Sequence, residues 1–174
     1  MSELTDVLLA QEERIGEFTE DLARAIAGSS RVMTAGNGGS SSIASHLVAD
    51  VMKTVGRFDL PSVMCLTDNV PLLTAMANDI SYVDALANIA ALHHVNEEDL
   101  VVIVSSSGNS DNVVNLARMA LSRGASVYAM VGFSGGRLAS MLEPKYVLHV
   151  RSHDYGVVED VHHHVIHRIV RALK

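Results

Sequence analysis

Two short runs of glycine, asparagine and serine carry the most distinctive hydrogen-bonding chemistry of this chain. Gly36-Asn37-Gly38-Gly39-Ser40 follows a short apolar run and precedes a helical pattern. Glycines there let the backbone approach a ligand closely, and the first N–H groups of a helix lack internal partners and suit an anion. Ser105-Ser106-Ser107-Gly108-Asn109-Ser110 stands in the same strand-to-helix position further on. Its hydroxyls can donate several hydrogen bonds to one phosphate without any basic side chain. A single Gly-rich loop is commonly just a tight turn, whereas two such loops, one of them rich in serine, point to a phosphate site. The first loop lacks G-x-G-x-x-G spacing and neither is followed by Gly-Lys-Ser/Thr, so nicotinamide cofactors and nucleoside triphosphates fall behind a small phosphorylated metabolite.

Proton-moving and metal-ligating side chains occur at helical spacing in two further places. His46 and Asp50 are four residues apart, with Ile43, Leu47 and Val51 forming the apolar stripe beside them. Glu159, His163 and His167 repeat the interval near the carboxyl end. An i, i+4 His–Asp pair is also an ordinary solvated helix pair, so spacing alone leaves both readings open. His162 falls among Val158, Val161, Val165 and Ile169 and is expected to be an interior histidine.

The elements that must position these residues follow from the apolar pattern. Val32 to Ala35, Val63 to Leu66, Leu100 to Val104, Val127 to Val131 and Tyr146 to Val150 read as short strands buried on both faces. Helices are expected over 40–54, 69–93 with a break, 109–122, 136–142 and 157–173. Ser110 is a candidate cap for the third of these, and Gly124 follows its end. This is the rhythm of a doubly wound α/β fold with a five-stranded parallel sheet. Residues 1–28 stand apart as one long amphipathic helix, with Leu8, Ile15, Phe18, Leu22 and Ile26 on one side. Either a partner subunit or the chain's own domain must cover that stripe. The expected organisation is therefore an N-terminal helical oligomerisation segment, 1–28, and a ligand-binding domain, 29–174.

The 174 residues suffice for one domain with a sizeable core, and 48% of them are hydrophobic against 19% charged, which excludes a disordered chain. The net charge of −7 and the absence of a Lys/Arg cluster argue against a nucleic-acid backbone as ligand. Aromatics at 4% with no tryptophan argue against stacking platforms for bases. A single cysteine, Cys65, and an amino terminus with neither basic leader nor continuous apolar stretch lead us to expect a cytoplasmic protein. No window reaches the length of apolar sequence that a membrane span needs.

The segments GNGGSSSIASHLVADV, LTDN, ANDISYVD, SSSGNSDNVVNLA and VVEDVHHHVIHRIV resemble the SIS (sugar isomerase) domain family, and within it the phosphoheptose isomerase group. The resemblance implies a flavodoxin-like parallel sheet, a sugar phosphate substrate and a homotetramer with sites near subunit interfaces. Matched position by position, it implies substrate contacts at Asn37, Gly38, Gly39, Ser40, Asn78, Asp79, Ser105, Ser107 and Ser110. It further implies a zinc ion, or another divalent metal, held by His46, Asp50, Glu159 and His167. Two of these depart from the group's pattern: Asp50 stands for a Glu and Glu159 for a Gln. The implied reaction converts sedoheptulose 7-phosphate to D-glycero-D-manno-heptose 7-phosphate through an enediol. His167 would act as the base and Asp50 as its acid partner. The alternative is a non-catalytic phosphosugar-binding or scaffold protein, such as a DnaA-associating replication factor that resembles the same family.

Overall fold

The computed structural model describes residues 2–55 and 62–174. Five strands, β1 (Arg31–Ala35), β2 (Ser62–Cys65), β3 (Asp99–Ser105), β4 (Ser126–Val131) and β5 (Val147–His149), form one parallel sheet in the order β2-β1-β3-β4-β5. The continuous apolar runs are explained by this burial, for all seven residues of β3 are buried. Leu100, Val102 and Val104 point into one core, with Met130 of β4 and Leu148 of β5. Val101 and Ile103 point into the other, with Ala129 and Val131 of β4.

The helices cover the two faces. α2 (Glu12–Gly28), α3 (Gly39–Val55) and α8 (Tyr155–Ala172) close the first core through Phe18, Leu22, Ile43, Leu47, Val161 and Ile169. α5 (Tyr82–Leu92), α6 (Asp111–Ser122) and the short α7 (Gly136–Met141) close the second through Leu86, Ile89, Val113, Leu116 and Leu138. The expected break in the 69–93 helix falls between α4 (Val70–Asp79) and α5, where Ser81 caps the new helix by accepting from the Asp84 N–H. Tyr146 belongs to a single 3-10 turn rather than to β5.

The N-terminal segment departs from the single helix expected. α1 (Glu3–Ala10) ends at Gln11, where α2 begins on a new axis. The Gln11 amide donates to His149 O at 2.7 Å and accepts from the Arg151 N–H at 3.1 Å, which ties the junction to the end of β5. The stripe on α2 is covered by the chain itself, since Ile15, Phe18, Leu22 and Ile26 are all within the first core. α1 contributes no buried residue.

The loops after β1 and β3 leave neighbouring strands at the point where the strand order reverses, the crevice where open α/β sheets bind ligands. Among the described residues no helix is long and apolar enough to cross a membrane.

Candidate active site

The two glycine- and serine-rich loops face each other across a cleft of about 290 Å³. Asn37, Gly38, Gly39 and Ser40 line it from the β1–α3 side, and Ser105, Ser106, Ser107 and Ser110 from the β3–α6 side. Tyr155 and Glu159 of α8 complete the wall. Ser110 occupies the N-cap position of α6, but its hydroxyl makes no capping bond and is left for a ligand. Ser105 Oγ accepts from the Gly108 N–H and Ser107 Oγ from the Asn109 N–H, leaving both hydroxyl protons facing outward chemistry. Ser106, which the sequence reading passed over, is 4% exposed and its Oγ has no partner. A buried hydroxyl without a partner is a cost that a bound anion would relieve.

The loop shapes depend on close backbone crossings. Gly108 has φ +64°, and a Cβ there would meet Gly135 O and Gly136 Cα. Leu138 N donates to Gly108 O at 3.0 Å, so the β3–α6 loop is laced to the start of α7. The first loop is braced from α5 and α6. Asn37 and the buried Asn112 exchange two amide bonds of 2.8 and 2.9 Å, and Tyr82 O–H donates to Asn37 Oδ1 at 2.8 Å. Asn37 is therefore largely engaged by its own chain. Asn112 and Tyr82 lie 75 and 45 residues from it, and no periodicity linked them to the loop. Ser41 Oγ meets Thr67 Oγ1 at 2.6 Å and Ser45 donates to Asp68 at 2.9 Å, which gives the LTDN segment its role of holding the first turns of α3.

A second cluster lies where α3 packs on α8. His46 Nε2 is 3.5 Å and His167 Nε2 3.8 Å from Asp50 Oδ2. The His46 and His167 rings meet edge to face at 5.2 Å, and His163 lies 5.5 Å from His46. One donor atom from each of His46, Asp50 and His167 falls within 4.8 Å of the others. Two neutral imidazoles and a carboxylate at that spacing suit a divalent ion with one position open, the arrangement of catalytic zinc sites.

Glu159 is not part of this cluster. Its carboxylate oxygens lie 2.5 Å from where a Cβ on residue 39 would sit, so the absence of a side chain at Gly39 admits it to the serine cleft. The four-residue set thus comes together as three residues, with the long glutamate turned along α8 towards the loops. Asn78 and Asp79, bonded to each other at 2.8 Å at the end of α4, are exposed and do not line the cleft. His162 is fully buried as expected, its Nε2 facing Val131 O at 3.4 Å and its Nδ1 without a partner. Burial pushes its pKa down to about 4. A larger groove of about 790 Å³ between α1, α2 and the β5 edge, lined by Glu3, Arg14 and His149 among others, holds none of these serines or clustered ligands.

Comparison with known proteins places this geometry. The SIS domain family profile matches residues 2–132. The phosphoheptose isomerase of Shewanella oneidensis is 33% identical over 165 residues, which is 93% of this chain and 83% of that protein. The structure of the phosphoheptose isomerase from Neisseria gonorrhoeae superposes with a TM-score of 0.89 at 25% identity, covering 99% of this chain and 94% of that one. That of Francisella tularensis gives 0.78 at 26% identity, covering 99% and 98%. With the paired loops at the sheet's switch point and the His–Asp–His cluster beside them, the chain belongs to the SIS domain family, in its phosphoheptose isomerase group.

Proposed function

We propose that this aldose-ketose isomerase acts on sedoheptulose 7-phosphate, giving D-glycero-D-manno-heptose 7-phosphate through an enediol. The observation that carries the reading is the neighbourhood of a cation-free serine cleft and a His–Asp–His cluster on the same pair of helices. The phosphate goes to Ser105, Ser107 and Ser110, where hydroxyls and the first N–H groups of α6 supply donors. Gly38, Gly39 and Ser40 let the sugar pass close to the backbone, with Asn37 held in place by Asn112.

Aldose-ketose interconversion moves one proton between adjacent carbons, so it needs a base near the reacting carbons. His167 fills that role, with Asp50 close enough to its Nε2 to orient the ring and to act as acid partner. His46, Asp50 and His167 would hold a divalent metal, zinc by the chemistry of the set, and such an ion supplies polarisation of the carbonyl and hydroxyl oxygens. Asp50 is one methylene shorter than a glutamate, and that keeps its carboxylate drawn onto the two imidazoles.

We further infer a homotetramer in which Asn78 and Asp79 serve a neighbouring subunit's cleft. Their exposed position at the α4–α5 corner, beside the exposed Ile80, Tyr82 and Val83, supports this. Assay of the purified protein with sedoheptulose 7-phosphate and a panel of ketose phosphates tests the activity. Turnover of the heptulose ahead of the shorter sugars is expected. No turnover of any of them, with or without zinc, refutes it and leaves the non-catalytic binding role.

A further inference from the structure

Along α8, Tyr155, Glu159, His163 and His167 follow at four-residue intervals and share one face. The first two line the serine cleft and the last belongs to the metal-capable cluster. Glu159 therefore stands, along the helix, between the groups that suit a phosphate and those that suit the reacting carbons. Of the ten residues that line the cleft it is the one that carries a charge. Among the described residues no ion pair engages its carboxylate. A side chain at position 39 would take its place, so the close approach of the carboxylate to the β1–α3 loop is built into the backbone.

We propose that Glu159 is the specificity-determining residue of this cleft: it accepts hydrogen bonds from hydroxyls of the bound sugar and turns away any second anionic group. The proposal rests on the isomerase reading for the identity of its substrate. The chemistry is that of an ionised carboxylate, which only accepts hydrogen bonds. A sugar hydroxyl offers it a proton, whereas a second phosphate or a sugar carboxylate offers none and adds like charge in a site without a cation. The phosphate end of the substrate is left with donors, the hydroxyls of Ser105, Ser107 and Ser110 together with the partnerless Ser106. The two ends of the cleft thus fix the direction in which a sugar monophosphate lies, with its polyol chain across Glu159 and its reacting carbons towards His167. Sugar bisphosphates and phosphorylated sugar acids are the classes it rejects.

Glu159→Gln keeps the shape and removes the charge. Steady-state kinetics with sedoheptulose 7-phosphate, calorimetric titration with that sugar and with 6-phosphogluconate, and metal analysis are run on the wild type and the variant. The expected result is a KM for the monophosphate raised about tenfold with kcat within about threefold, the loss of a hydrogen bond to a charged group made equally in ground and transition states. The affinity for the sugar acid should tighten about tenfold, with metal content unchanged. Equal preference for the two ligands in both proteins overturns the proposal, and so does loss of metal from the variant, which would make Glu159 a ligand. Because calorimetry reads binding without turnover, an inactive wild type that shows this selectivity refutes the reaction and supports the role of Glu159. An active wild type without it refutes that role alone.

Discussion

Asp50 lies within 4 Å of two imidazoles, and His167 reaches it from a different helix more than 100 residues away, so removing His167 strips the cluster of the member that joins α3 to α8. His167→Ala should lower affinity for a divalent metal by at least about tenfold, and abolish turnover, while thermal stability without metal stays near wild type because the side chain is half exposed. Elemental analysis after dialysis against limiting zinc measures the first, and full metal retention in the variant would remove His167 from the set. His162, its neighbour in the histidine run, behaves oppositely. Its pKa is about 4 in the folded protein against 6.5 for an ordinary histidine, because burial disfavours the charged ring. The folded state then binds fewer protons than the unfolded one between those values. Stability contributed by the neutral ring is complete above pH 6.5, declines as pH falls from 6.5, and is gone below about 4, a difference on the order of 3 kcal/mol. Urea unfolding at several pH values should show that decline in the wild type and a flatter profile in His162→Leu. Equal profiles would mean that another group carries the acid sensitivity. The sequence distinguished these two histidines, because apolar neighbours at 158, 161, 165 and 169 mark a buried helix face. It did not reveal where the Glu159 carboxylate points, since four-residue spacing fixes a helix face and a long side chain can lean up or down it.

At the scale of elements, strands and helices were legible because each strand is a short apolar run buried on both sides. The glycine-rich loops were legible as ligand loops, but what holds them was not. Gly108 was read as part of a serine loop, yet its conformation is set by the β4–α7 crossing, and Gly135 and Gly136 gave no sign of a partner 27 residues away in the chain. Two alanine substitutions separate the roles of the glycines. Gly108→Ala puts a Cβ on a left-handed residue and against backbone atoms of the crossing loop, neither of which can yield. A loss of about 2 kcal/mol or more is expected, together with weaker binding of inorganic phosphate as Ser107 and Ser110 lose their setting. Gly39→Ala meets only the far end of the Glu159 side chain, which can swing away. Its cost in stability should stay below about 1 kcal/mol, and its effect should appear in sugar affinity instead. Thermal melts paired with phosphate and sugar phosphate titrations check both, and a Gly108→Ala protein as stable as wild type would contradict the account of the crossing.

For the whole molecule, the amino-terminal segment decides whether oligomerisation and folding are separable. The amphipathic stripe was legible, but an apolar stripe does not say which surface it meets, and the bend at Gln11 depends on a side-chain amide reaching the end of β5. Ile15, Phe18, Leu22 and Ile26 are at most 1% exposed, all inside the core shared with α8 and the sheet. Burying four such side chains contributes on the order of 6–12 kcal/mol, comparable with the entire stability of a domain of this size. A chain beginning at Ser29 should therefore fail to fold, rather than yield a folded monomer. α1 differs, since it buries no residue, leaves Leu9 65% exposed, and is held to the body chiefly by Glu3 accepting from Ser152 at 2.6 Å and by partly buried Leu4, Val7 and Leu8. A chain beginning at Gln11 keeps the amide that anchors the junction and should unfold cooperatively within a few degrees of the full-length protein. If α1 contributes to the proposed tetramer, light scattering of this shorter chain should give a smaller species than the full-length protein at equal concentration. A shorter chain that remains tetrameric would move the interface to the exposed apolar residues of α4 and α5, Val70, Ile80, Val83 and Leu92, where Asn78 and Asp79 already face away from their own cleft.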